Sequence, residues 1–146
     1  MILGLTNRCS TSNDFETDRK ERTLVELKKY FDNAASGINV EQYLLMCEQL
    51  GDEPDPDKIP PDYDSFPSYV HTGMEIFNAL TDTYTGGMQP VYSGKNLSAL
   101  PVLFDLYLID DKEDRMDIFD IVRFLDNRAR KQAMDEAKKA AKKASK

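Results

Sequence analysis

The chain has 146 residues and a formal charge of -7, with 40% hydrophobic and 31% charged side chains. That is enough for one domain burying roughly two thirds of its unfolded surface, and too apolar for a disordered chain. No apolar run approaches the roughly 18 residues of a membrane span, and the "MILGL" start lacks the basic leader and long apolar region of a secretion signal, so a cytoplasmic protein is expected.

Charge is unevenly distributed. Residues 128–146 carry eight Lys or Arg against two acids, a net +6, whereas the other 127 residues hold 11 bases and 24 acids, a net -13. The basic stretch reads as a solvated Ala/Lys helix, and the acidic body argues against direct nucleic-acid binding, because phosphate would repel it. Cys9 and Cys47 have no CxxC spacing, which makes neither a disulfide framework nor a cysteine-based zinc site.

In chain order, residues 1–16 are polar apart from Met1 to Leu5 and Phe15, and predict a loosely held arm. A first helix follows over Asp18 to Phe31, where Leu24, Leu27 and Phe31 recur at spacings of three and four. In "GINVEQYLLMCEQLGDEP", Asn39 and Gln42 form a capping box and Gly51 supplies a left-handed stop, so a second helix spans Val40 to Leu50. Five prolines in "GDEPDPDKIPPDYDSFP" then enforce an extended connector. Its acids, Asp52, Glu53, Asp55, Asp57, Asp62 and Asp64, lack the Asp-x-Asp-x-Asp-Gly turn and the twelfth-position Glu of a calcium loop, so no metal site is expected.

A third helix runs from Pro67 or Ser68 to Leu80, with Val70, Met74 and Phe77 on its apolar stripe and Gly86-Gly87 as its stop. The loop "TGGMQPVYSGKN" places Gly94-Lys95 before a helix and invites comparison with a phosphate-binding loop. That loop requires glycine at 89 and a hydroxyl at 96, where this chain has Gln89 and Asn96. The loop is therefore read as a corner, with Gly94 adopting a backbone angle that other residues resist and Asn96 capping a fourth helix over Leu97 to Leu108. "QPVYSG" suits a brief strand or hairpin, and no sheet is built from it. The fifth helix starts near Lys112, capped by Asp110 or Asp111, with Met116, Phe119, Val122 and Leu125 as its stripe. His71 is the single histidine, and no Ser/His/Asp or Cys/His pairing is signalled, so neither catalytic residues nor a cofactor is expected.

These elements predict an all-α fold: a compact bundle of about five helices with a proline-rich connector and a long C-terminal helix. The expected organisation is a flexible arm at 1–16, a helical domain at 17–127 and a basic helical tail at 128–146.

Residues 74–130, "MEIFNALTDTYTGGMQPVYSGKNLSALPVLFDLYLIDDKEDRMDIFDIVRFLDNRAR", resemble small tail-region proteins of tailed bacteriophages. The likeness rests on helix punctuation: Phe77 and Leu80, Gly87-Met88, Gly94, Asn96 with Leu97, Ala99 and Leu100, then Leu106, Ile109 and Phe119. Where that family often carries Trp before its Gly-Met, this chain has Tyr84. The resemblance implies a non-catalytic role in tail morphogenesis, of the tail-assembly-chaperone type, with phage tape-measure or tail-tube proteins as partners. The corresponding location is the host cytoplasm or the virion. A chaperone of this kind covers an apolar helical stripe with its own groove, and flexible methionines suit varied partners, which nominates Met46, Met74, Met88 and Met116 as lining residues. Two other roles fit the chain: a virion connector subunit, and an acidic effector that blocks a host nucleic-acid enzyme by imitating phosphate spacing.

Overall fold

The computed structural model describes residues 10–146, and these are mostly helical. The chain divides at Phe66/Pro67 into two compact units. The expected single bundle of five helices is thus distributed over two bodies.

The first unit contains α1 (Ser10–Ser36) and α2 (Val40–Leu50), followed by the connector. Helix α1 begins eight residues before the expected Asp18, so the expected arm is helical from Ser10; the rest of it lies outside the described residues. The chain turns from α1 to α2 through Gly37, whose φ of 77° is left-handed. Helix α2 ends as its sequence dictates at both termini. Asn39 accepts the Gln42 backbone N–H at 2.8 Å while the Asn39 N–H donates to the Gln42 side chain at 3.2 Å. Gly51, at φ 72°, lets the following amides reach the last carbonyls. The connector closes in a single 3₁₀ turn at Tyr63–Ser65. Tyr30 anchors it by edge-on ring contacts with Phe31 and Phe66, and it also meets Tyr63.

The second unit contains α3 (Ser68–Ala79), β1 (Asp82–Tyr84), β2 (Tyr92–Lys95), α4 (Leu100–Leu106) and α5 (Lys112–Ala144). Its core is made by Ile76 of α3 and Leu80 just beyond its end, Leu100 and Phe104 of α4, and Ile118 and Val122 of α5. Phe77, Leu97, Leu103, Ile109 and Phe119 pack around them. Helices α3 and α5 approach so closely at Gly73 that a Cβ there would lie 2.6 Å from Ile121 Cγ2 and 2.8 Å from its Cβ.

Two expectations are corrected in this unit. Helix α3 ends at Ala79 with Leu80 as its C-terminal cap, as the sequence predicts, but Gly86-Gly87 do not stop it: the chain goes directly into a two-stranded antiparallel sheet. Thr and Tyr in "DTY" and "VYSGK" favour a pleated strand, and the two glycines serve instead as the hairpin tip. Asp82 pairs with Lys95 and Thr83 with Gly94; the register then shifts, so that Tyr84 pairs with Tyr92 and Ser93 bulges out. The fourth helix is also shorter than expected, a 3₁₀ turn at Leu97–Ala99 leading into α4. Asn96 does cap this segment, accepting the Ser98 N–H at 3.0 Å. Asp111 caps α5 through the Glu113 and Asp114 amides, and α5 continues unbroken through the basic tail.

Candidate functional site

The Gly94-Lys95 segment belongs to a polar cluster centred on Asp126 of α5, whose residue is only 6% exposed. Strand β2 lies against α5 here. The Lys95 backbone N–H donates to Asp126 Oδ1 at 2.7 Å, the Tyr92 hydroxyl donates to the same oxygen at 3.2 Å, and Arg130 Nε sits 3.3 Å from Oδ2. Gly94, buried and at φ 120°, is what permits this approach: a Cβ would lie 3.1 Å from Arg130 Cδ and 3.2 Å from Asp126 Oδ2. The Lys95 side chain turns the other way. Its ammonium pairs with Asp82 Oδ1 at 2.6 Å, donates to the Leu80 carbonyl at 3.1 Å and lies 4.7 Å from the centre of the Phe77 ring.

Electrostatics fix the protonation of one member. Burial first, then the Asp126 carboxylate as neighbour and hydrogen-bond acceptor, push the Tyr92 phenol up to about 12. It remains a hydroxyl donor under all ordinary conditions. The adjacent cleft, about 310 Å³, has Phe77, Tyr84, Tyr92, Lys95, Gln132 and Glu136 in its wall. Chemically the cluster is a clasp. Lys95 is committed to Asp82 and Leu80, and Asp126 to three donors, so neither group is poised to attack a substrate or to receive a phosphate. The segment is a strand and not a corner between helices, and it fastens the hairpin to α5.

A second feature lies wholly within the first unit. A cleft of about 440 Å³ is walled by Tyr30, Ile38, Val40, Pro60, Pro61 and Tyr63 and by the polar Asn33, Asn39 and Asp62. Helix α2, which lends Val40 and Glu41 to this wall, buries only Cys47, whereas Leu44, Leu45, Met46 and Leu50 are 40%, 53%, 50% and 71% exposed. The acids of the connector do not converge: Asp55 pairs with Lys58 at 3.4 Å and accepts the Asp57 N–H. Among the described residues, no group of three His, Cys, Asp or Glu is placed to hold a metal ion, and no helix is long and apolar enough to cross a membrane.

The four nominated methionines occupy separate elements. Met46 is on the exposed face of α2, Met74 is half-buried on α3, Met88 stands fully exposed at the hairpin tip, and Met116 is exposed in the second turn of α5. None of the four is in the wall of either cleft. Asp126 escaped the sequence reading although a signal existed. Ile118, Val122 and position 126 follow one another at spacings of four, so Asp126 interrupts an apolar stripe, and a charge there demands a partner. No protein family, curated protein or solved structure matches this chain.

Proposed function

We propose that this protein is a non-catalytic, chaperone-type binding protein that covers an apolar helical segment of a partner, acting in bacteriophage tail morphogenesis with a tape-measure-type protein as client. The observation that carries this reading is the set of exposed apolar side chains on α2, in the same unit as the Tyr30–Tyr63 cleft. An 11-residue helix that buries a single side chain leaves Leu44, Leu45, Met46 and Leu50 to water, and such a surface is stabilised when a partner covers it. Aromatic and proline side chains form a stiff wall suited to one face of an amphipathic helix, while Met46 adapts to sequence variation along a client. The phage assignment rests on the resemblance over residues 74–130, and it places the protein in the host cytoplasm during assembly.

The test is affinity co-purification from infected cells at low and high salt, with the wild-type chain and with Met46→Asp/Leu50→Asp. A long helical phage protein held at high salt by the wild type, and reduced at least tenfold by a double variant of unchanged helicity, is the expected result. Recovery of a host nucleic-acid enzyme that salt releases would replace the chaperone with the acidic effector. Presence of the chain in purified particles would make it a virion component.

A further inference from the structure

The α4–α5 corner of the second unit carries an apolar ridge that its own fold leaves uncovered. Val102, Leu106 and Leu108 are 60%, 71% and 82% exposed. Leu108 is also the one non-glycine residue with positive φ, 56°, among those described. It closes α4 in a Schellman arrangement, with the Ile109 N–H on the Phe104 carbonyl at 2.8 Å and the Leu108 N–H on the Asp105 carbonyl at 3.1 Å, a position that glycine ordinarily fills. Around the ridge, Asp110, Asp111, Glu113 and Asp114 stand against Lys112, while Asp105 is already paired with Arg115 at 2.9 Å.

The opposite end of α5 has the complementary character. Residues 128–146 carry a net +6, and Met134, Ala137, Ala141 and Ala144 recur at spacings of three and four, giving a narrow apolar seam with Lys138, Lys139, Lys142 and Lys143 alongside. No side chain from 132 to 146 is buried. Attraction to the helix dipole accounts for Glu113 and Asp114 in the first turn and for Lys142 and Lys143 in the last. It does not account for the apolar ridge, the seam or the charges beyond those turns.

The two ends cannot meet within one molecule. Helix α5 is unbroken over 33 residues, which separates them by about 45–50 Å at 1.5 Å per residue. We propose that the chain pairs with a second copy of itself through antiparallel α5 helices, each basic tail lying over the Val102–Leu106–Leu108 corner of the other. The seam covers the ridge, and the lysines face the acidic collar. Because each copy offers one corner and one tail, the antiparallel arrangement satisfies both contacts and closes as a two-fold dimer. This pairing is independent of the client surface on α2.

The test measures the mass of the full chain in solution by sedimentation equilibrium at low and high salt, with three variants checked for retained helicity. Wild type should be a dimer at low salt whose dissociation constant rises at least tenfold as salt screens the pairing. A tail variant, Lys138→Glu/Lys139→Glu/Lys142→Glu/Lys143→Glu, and a corner variant, Asp110→Lys/Glu113→Lys/Asp114→Lys, should each be monomeric alone and form a one-to-one heterodimer when mixed. Leu108→Gly relieves the backbone strain and removes the ridge side chain, so it should raise the unfolding midpoint while weakening the dimer at least tenfold. A wild-type chain that stays monomeric at low salt would overturn the proposal. So would charge variants that self-associate like wild type, a mixture that fails to pair, or growth into open oligomers, which would require a different contact.

Discussion

Tyr92 shows how one hydroxyl ties local chemistry to stability. In the folded chain its phenol ionises near pH 12, against about 10 for an ordinary tyrosine. Folding therefore favours the protonated hydroxyl. The contribution of its hydrogen bond to Asp126 is fully present below pH 10, where both states are neutral, and is lost as the pH climbs through 12. Urea unfolding of wild type and Tyr92→Phe should show wild type more stable by about 1–2 kcal/mol at neutral pH, as expected for a bond to a carboxylate. That difference should narrow between pH 10 and 12; an offset that stayed constant across this range would show that burial and Asp126 together do not raise the Tyr92 phenol on folding. Asp126 itself was half legible. Its place on an apolar stripe announces a buried charge, but its partners Lys95 and Tyr92 are more than thirty residues away in sequence, and pairing over that separation is decided only when the hairpin meets α5.

At the scale of elements, the ends of α2 and the start of α5 follow from their sequences because caps are local. Asn39 with Gln42, Gly51, and Asp111 with the Glu113 amide each act within four residues. The pairing of the hairpin is not legible in the sequence, for the opposite reason. "DTY" and "YSGK" are too short to show a convincing alternation, and they are strands because each supplies the other's hydrogen bonds and Asp126 holds the second one in place. Gly73 belongs to this scale as well, since α3 and α5 pack through it. Gly73→Ala gains about 1 kcal/mol of helix propensity but forces Ile121 away, and with two contacts under 3.0 Å the overpacking costs about 2–3 kcal/mol, the upper part of its usual range. A net loss of about 1–2 kcal/mol in urea unfolding is expected. A neutral or stabilising change would mean that α3 moves aside without cost.

Across the whole molecule, two chain segments have opposite electrostatic character, and α5 joins them. Residues 132–146 bury no side chain, so ending the chain after Lys131 keeps Arg130 beside Asp126 and, at high salt where the proposed pairing is screened, should shift the thermal midpoint of the second unit by no more than about 4–8 °C, the equivalent of about 1 kcal/mol for a unit of this size. A larger drop would assign the tail a packing role in the monomer. Sequence by itself determined the helical character, the capped ends of α2, the start of α5 and the division of charge between an acidic body and a basic tail, because periodicity, caps and formal charge act within a few residues. Tertiary structure alone decided that the chain forms two units, that Gly94-Lys95 fastens a hairpin to α5, and that Leu44, Leu45, Leu106 and Leu108 face water. Those outcomes depend on which distant surfaces meet, and an apolar residue carries no mark of whether its own fold will cover it.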